Sequence, residues 1–330
     1  MAWLRAKATR VPDRVDLIYA YNHIVFRNRP WVIFVEWAHT PIGRDVRQFA
    51  RFRKLIERHF GGQNCKHIIT WCTAARDSIS ENLDTSRFSD KISVVPLAVH
   101  PKKRVERQWD GKLKMLYLGS TNVTSADDFL QKGGIDVIEA MKILGRISQN
   151  IELVIRSNLP EGIGKTCRSL KNIRIIEGVV SQDRLEEEFS TANVFVQPNR
   201  LTPFGAYLEA MSYGLPVITR DAHANREIVE DGVTGYVMKD DFDGDYFRND
   251  YGVRMIPLAE WPVSLKYMNA ISRVDRPFAM KIAEKALSLA DNPHLLARLS
   301  ERARYEVEYG KFSVRRRNER LKSIFDQILQ

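Results

Sequence analysis

Cysteine is scarce in this 330-residue chain: Cys65, Cys72 and Cys167 are odd in number, scattered, and never in C-x-x-C spacing. That excludes a disulfide framework and a zinc site, and fits a reducing compartment. Long apolar runs are also missing. The longest, "WVIFVEWA", is broken by Glu36 and is far too short to span a bilayer. The opening stretch "MAWLRAKATRVPDR" has no apolar core of signal-peptide length. Repeats and low-complexity segments are absent. What is present, 44% hydrophobic and 28% charged residues, excludes disorder on a large scale. The expectation is a folded cytoplasmic protein of two domains, at most peripheral on the inner face of a membrane.

Charge is unevenly spread. Residues 1–110 hold 20 Lys+Arg and 11 Asp+Glu, a net of +9, whereas the whole chain carries +10. An excess confined to one third points to an anionic partner there. Its densest part is "RDVRQFARFRKLIERHF" (44–60). Val46, Phe49, Phe52, Ile56 and Phe60 recur at helical spacing among Arg44, Arg47, Arg51, Lys54 and Arg58. Such a helix suits an anionic membrane surface, or a sheet under its apolar stripe with the arginines in water. Nucleic acid is not expected, since no helix-turn-helix, RRM-like aromatic signature or zinc spacing occurs.

Short apolar runs alternate with helical periods. Strands are expected at 16–21, 31–36, 67–72, 92–97, 114–119, 151–156, 173–178, 194–198, 216–219 and 235–238. Helical patterns fall at 133–147, 182–192 and 276–290, then from Asn292-Pro293 and from about Ser313. This alternation predicts parallel sheets covered by helices. The basic, turn-prone "HPKKRVERQWDGK" (100–112) marks a domain boundary, giving domains 1–108 and 109–311 and a terminal helix 312–330.

In such sheets ligands lie beyond the carboxyl ends of the strands. After strand 114–119, Gly119 permits a tight turn, and Lys132 with Gly133 precedes a helix, a combination that suits a diphosphate. Arg156 ends a buried strand and needs an anionic partner, phosphate or carboxylate. After "VFVQP", the loop "NRLTPFG" leads into the helix "AYLEAMS", where Glu209 can accept hydrogen bonds from ribose hydroxyls. Three decoys fail. "GIGKT" (162–166) has Leu159 where a P-loop needs glycine. "DGD" (243–245) lies in an acidic loop, and Asn122-Val123-Thr124 is a sequon with no secretion signal.

"PFGAYLEAMSYGLPVIT…REIVEDGVTGYVM" resembles the nucleotide-sugar-binding half of retaining GT-B glycosyltransferases of glycosyltransferase family 4. "ISVVPLAV", "LYLGS…QKGGIDVIEAMKIL" and "NIRIIEGVVSQDRLEEEFSTANVFVQPN" resemble further family segments in the expected order. The resemblance covers about residues 90–240. It implies an α/β fold with two Rossmann-like domains facing across a cleft, the last helix crossing back to the first. It implies retaining transfer of a sugar from a nucleoside-diphosphate sugar, used as a substrate with no cofactor or metal, onto a glycan or lipid-linked acceptor.

By the same resemblance Lys132 and Glu209 are the catalytic pair. Lys132 neutralises the diphosphate and Glu209 holds the ribose. Gly119, Ser120, Gly133, Arg156, Thr202, Phe204, Gly205, Ala206, Tyr207 and Leu208 join Glu209 in binding the donor. A first-domain residue, Glu36, His39 or His23, is expected to face the reacting centre. The sequence departs from the family in three places. Leu201 or Thr202 stands where the paired-glutamate motif has its first glutamate. Ser120 replaces the arginine of the phosphate loop, with Arg156 a substitute. The first domain, about 105 residues, lacks the initial strand and its glycine-rich loop. These departures motivate an alternative, a non-catalytic sugar-nucleotide-binding or scaffold protein of the same fold.

Overall fold

The computed structural model describes residues 15–43, 46–119, 126–239, 269 and 271–329. These residues form two compact units. One holds the chain up to Leu97 and the segment from Arg317 onward; the other starts at Ala98 and ends at Arg316.

The first unit is built on a four-stranded parallel sheet of β1 (Ile18–Tyr21), β2 (Trp31–Val35), β3 (Cys65–Thr70) and β4 (Ile92–Val94), in sequential order. Every residue of β2 is buried, as its unbroken apolar run requires. Two helices accompany the sheet, α1 (Val46–Phe60) and α2 (Thr73–Asn82). Phe49, Ile56 and Phe60 of α1 are fully buried in this unit's core, each burial contributing about 1.5–3 kcal/mol. The stripe therefore packs inside the protein, while Arg51, Arg53, Lys54 and Arg58 stay in water. Arg44 lies outside the described residues.

The second unit carries a six-stranded parallel sheet: β5 (Leu113–Leu118), β6 (Ile151–Arg156), β7 (Ile173–Ile176), β8 (Val194–Val196), β9 (Val217–Arg220) and β10 (Gly235–Met238). Its spatial order is β10-β9-β8-β5-β6-β7. The chain starts in the middle, works outward to β7, then returns to the far side of β5. That is the Rossmann order, and the reversal lies between β5 and β8. Around it run α3 (Ala126–Gln131), α4 (Gly134–Ile147), α5 (Glu161–Ser169), α6 (Gln182–Thr191), α7 (Phe204–Ser212), α8 (Asn225–Ile228), α9 (Arg276–Asp291) and α10 (Pro293–Glu308). Local chemistry sets several starts: Ser181, Asp275 and Asn292 each accept the amide three residues on. The "GIGKT" stretch lies inside α5, so it makes no phosphate loop. The last helix, α11 (Val314–Leu329), divides between the units at Arg317.

The basic stretch expected to separate the domains packs on the second unit, so the division falls between Leu97 and Ala98 instead of 108/109. Lys102 pairs with Glu186 at 2.7 Å, and the Lys102 carbonyl accepts from Arg304 at 2.7 Å. The Arg107 guanidinium donates to the Phe189 and Ser190 carbonyls at 3.0 and 3.1 Å. Its pKa is lowered to about 10 by burial and by Arg304. The acidic loop with "DGD" and the sequon lie outside the described residues.

Candidate functional site

The strand reversal in the second unit puts the ends of β5 and β8 side by side, and the loops after them converge. After β5, Gly119 is held so closely that a Cβ would sit 1.9 Å from Ser157 Oγ. The Lys132 ammonium donates to the Gly119 carbonyl, so the two expected phosphate-loop residues are together. Gly133 caps α4 at φ +70°, where L side chains are strained, and a Cβ there would lie 2.4 Å from the Pro198 carbonyl. Glycine at 133 thus lets the start of α4 press against the loop after β8. Ser120 lies outside the described residues.

The loop after β8 is tied down on both sides. Arg200 N donates to the Gln131 carbonyl at 3.1 Å, toward the Lys132 segment. Toward the loop after β9, Asn225 Nδ2 donates to the Asn199 carbonyl at 2.8 Å and Arg220 Nε to the Pro198 carbonyl at 3.2 Å. Thr202 Oγ1 accepts from Ala224 N at 2.9 Å. Beneath lies a buried charge network. Asp136, in the first turn of α4, pairs with Arg220 at 2.7 Å and lies 3.8 Å from Arg200. It also accepts from Asp275 N at 2.9 Å, and the Arg220 guanidinium stacks 3.9 Å over the Phe278 ring. Burial pushes the Asp136 carboxyl up, with Arg220 and then Arg200 opposing.

Three polar atoms around this reversal are buried with no hydrogen-bond partner: Arg156 Nε at the end of β6, Gln197 Oε1 just after β8, and Asn225 Oδ1 after β9. An unpaired buried polar atom costs about 1–3 kcal/mol. Such atoms therefore gather where something else satisfies them, and here one ends β6, one follows β8 and one opens α8, the helix after β9.

Other expected lining residues separate. Tyr207 and Leu208 are fully buried, so they do not line a donor site. Helical spacing turns them inward, and the Tyr207 hydroxyl reaches the Gln197 carbonyl at 2.7 Å and Thr219 Oγ1 at 2.5 Å. The Phe204 ring packs against Phe312, 6.1 Å between centroids. Gly205 is exposed and Ala206 half-buried. Glu209 is half-buried in the second turn of α7. Burial raises its pKa, Lys102 opposing and Glu186 reinforcing. The two expected catalytic side chains thus have different settings: Lys132 rests on the Gly119 carbonyl, and Glu209 lies beside the Lys102–Glu186 pair.

In the first unit, Glu36 accepts from the Tyr21 hydroxyl, and its amide donates to Asn22 Oδ1 at 2.9 Å. Asn22 Oδ1 also takes the Thr40 hydroxyl at 2.8 Å. His39 is 3% exposed and caps a single turn at Thr40–Ile42, whereas His23 is exposed. Gln197, Asn225, His223 and the Asp136–Arg220 pair were not singled out from sequence. A charge ending a buried strand was the available signal, and it applies to Arg220 as well as to Arg156.

Two Rossmann-like α/β units, the second with a polar crevice at its strand reversal, define the class: the chain has the GT-B fold of glycosyltransferases. More particularly, residues 122–247 match the family "Glycosyl transferases group 1". Among solved structures, TarM of S. aureus is 14% identical with a TM-score of 0.61, over 94% of this chain and 54% of TarM. Sucrose-phosphate synthase from Thermosynechococcus elongatus is 14% identical with a TM-score of 0.62, over 95% of this chain and 73% of the other. Anabaena HepE, solved with UDP-glucose, is 12% identical with a TM-score of 0.60, over 94% and 79%. The chain thus spans about half the length of TarM. Comparison with curated protein sequences finds no match. At these identities the structural likeness is one of fold, and function has to be argued from the site.

Proposed function

We propose that this protein is a retaining glycosyltransferase of family 4 type, moving a hexose from a nucleoside-diphosphate sugar to a glycan or lipid-linked acceptor without a metal. The observation that carries the reading is the set of unpaired buried atoms of Arg156, Gln197 and Asn225, gathered at the strand reversal with Lys132 and Gly119. Arg156 Nε can donate to a phosphate oxygen, and the two amide oxygens can accept from hydroxyl or N–H groups of the same ligand. The group 1 match over the same segment supports it, as do related folds solved with UDP or UDP-glucose.

As the glycosidic bond breaks, charge grows on the departing diphosphate. The Lys132 ammonium and the amides opening α4 are fixed beside that position and stabilise the charge electrostatically. Arg156 takes the part of the arginine missing at Ser120. Glu209 holds the ribose, and Thr202, Gly205 and Ala206 border the donor. The exposed basic face of α1 supplies an electrostatic contact to an anionic membrane, consistent with a cytoplasmic enzyme resting on an inner membrane face. Among the described residues no helix is long and apolar enough to cross a membrane. Thr202, standing for a glutamate, favours the alternative of a non-catalytic sugar-nucleotide binder.

The test is a thermal-shift screen against UDP-, GDP-, ADP- and dTDP-sugars, then product analysis by NMR. Stabilisation by one base and product with the donor's anomeric configuration are expected. Stabilisation without hydrolysis or transfer selects the binder. An inverted product rejects retention.

A further inference from the structure

Asn193 directly precedes β8, so it lies at the amino end of the second sheet, whereas the crevice lies beyond the carboxyl ends. The rise from Asn193 to Gln197 is about 13 Å, at ~3.3 Å per residue. At this opposite end, within the second unit, a cavity of about 540 Å³ opens between α10 and the connector segment 104–109. Sites for small ligands run to about 300–1,000 Å³. The connector has no regular structure and is held by its side chains. Arg104 pairs with Glu301 of α10, and Arg107 grips the end of α6 through the Phe189 and Ser190 carbonyls.

The lining combines apolar surface with both kinds of hydrogen-bonding group. The Trp109 ring is 37% exposed, although tryptophan is highly buried on average. Leu296 and Ala297 of α10 add apolar surface beside it. Asn193 Oδ1 is taken by the Lys114 amide at 2.7 Å, which leaves Nδ2 to donate. Arg107 spends Nε and Nη2 on α6, and its Nη1 has no acceptor among the described residues. The Glu106 and Glu301 carboxylates accept. Two arginines face two glutamates, so the lining has no net charge.

These groups discriminate between ligand classes. An anion meets two carboxylates, a cation meets two guanidinium groups, and an apolar ligand strips water from the Asn193 and Arg107 donors without replacing it. A sugar ring suits them all: its C–H face lies on an indole, and its hydroxyls both donate and accept around the edge. We infer that this cavity is a second, non-catalytic site that binds a neutral oligosaccharide. Trp109 is its stacking platform, and Asn193, Arg107 and the Arg104–Glu301 pair read ring hydroxyls. Bound there, a glycan is held on the protein without occupying the crevice. The ligand class follows from the lining and holds whether or not the crevice transfers a sugar.

The test follows indole N–H resonances of the full chain by NMR during titration with maltotriose, cellotriose, triacetylchitotriose and mannotriose, and with inorganic phosphate. The chain has six tryptophans, and the resonance missing from Trp109→Phe is that of Trp109. At least one trisaccharide is expected to shift that resonance saturably, with a Kd of about 1 mM or tighter. By calorimetry, Trp109→Ala weakens binding of that trisaccharide about tenfold, the upper scale of one aromatic contact, and Trp109→Phe, which keeps a ring, loses less. Glu301→Ala weakens it by about fivefold to tenfold, the scale of one hydrogen bond. Both side chains are exposed, so the variants fold, and an unchanged melting temperature checks this. No shift of the Trp109 resonance with any trisaccharide, undiminished affinity in Trp109→Ala or Glu301→Ala, or a response to phosphate in place of sugar overturns the inference. Failure of every nucleotide-sugar to bind the crevice, by contrast, rejects the transferase reading and leaves the Trp109 titration unchanged.

Discussion

The two units use one architectural idea with different outcomes. In the first, strands follow one another across the sheet as β1-β2-β3-β4, and the polar groups at their carboxyl ends satisfy each other: Asn22 Oδ1 takes both the Glu36 amide and the Thr40 hydroxyl. Trp37 and Trp71 close that end with an edge-to-face contact at 5.6 Å. In the second, the strand order reverses, and the ends around the reversal keep unpaired atoms on Arg156, Gln197 and Asn225. A reversal sends neighbouring loops in opposite directions and leaves a crevice between them. The contrast teaches that a Rossmann-like sheet becomes a ligand site through topology first and side chains second.

The sharpest way to break the contrast is to remove the charge network beneath the reversal. Asp136→Ala leaves Arg220, fully buried, without its 2.7 Å partner. Removing one member of a buried pair costs about 3–5 kcal/mol. Urea denaturation should show that loss, while Glu36→Gln in the first unit loses far less. Next in size is Lys132→Ala, expected to lower turnover about 10²–10³-fold, the scale for one charge-stabilising donor. Unchanged turnover would remove Lys132 from the mechanism. The corresponding test in the first unit, His23→Ala, is expected to move turnover less.

Much of this was readable from residues. Periodicity located ten strands among the described residues, because a doubly covered sheet favours apolar runs such as "WVIFV". The close turn at Gly119 and the helix start after Gly133 were legible because such positions leave local marks in sequence. The helices Thr73–Asn82 and Glu161–Ser169 were missed: both are short and mostly polar, held by packing more than by pattern. The reversal itself, and the pairing of Asp136 with Arg220 across 84 residues, leave no local trace. Tyr207 and Leu208 were misread because a motif gives membership of a helix, whereas the helical phase decides which side chains turn inward.

A smaller effect is expected at Glu209. Burial raises its carboxyl pKa, so the folded chain holds the proton more tightly than the unfolded one. The sign follows: its contribution to stability is full below the unfolded pKa and is lost as pH rises through the folded value. Glu209→Gln should therefore raise the melting temperature slightly at neutral pH. It should also weaken nucleotide binding about tenfold, if the ionised carboxylate grips the ribose. Wild-type nucleotide affinity should fall on acidification, beginning above the ordinary carboxylate range, and the glutamine variant should lose that dependence. Equal nucleotide affinity in both proteins by calorimetry would detach Glu209 from the ribose.

The smallest effect on folding, and the finest division between the units, concerns α1. Its apolar face is already committed, with Phe49, Ile56 and Phe60 buried, so any membrane contact there is electrostatic and involves no inserted stripe. Each basic side chain near an anionic surface contributes about 1 kcal/mol, and the attraction fades within a Debye length. Replacing Arg51, Lys54 and Arg58 by glutamine should leave stability within about 0.5 kcal/mol, since these side chains are exposed. Flotation with vesicles rich in acidic lipid should fall sharply in that variant, and in the wild type at high salt. Binding that survives both would require an apolar anchor elsewhere, and the first unit's excess charge would then serve the acceptor instead of a surface.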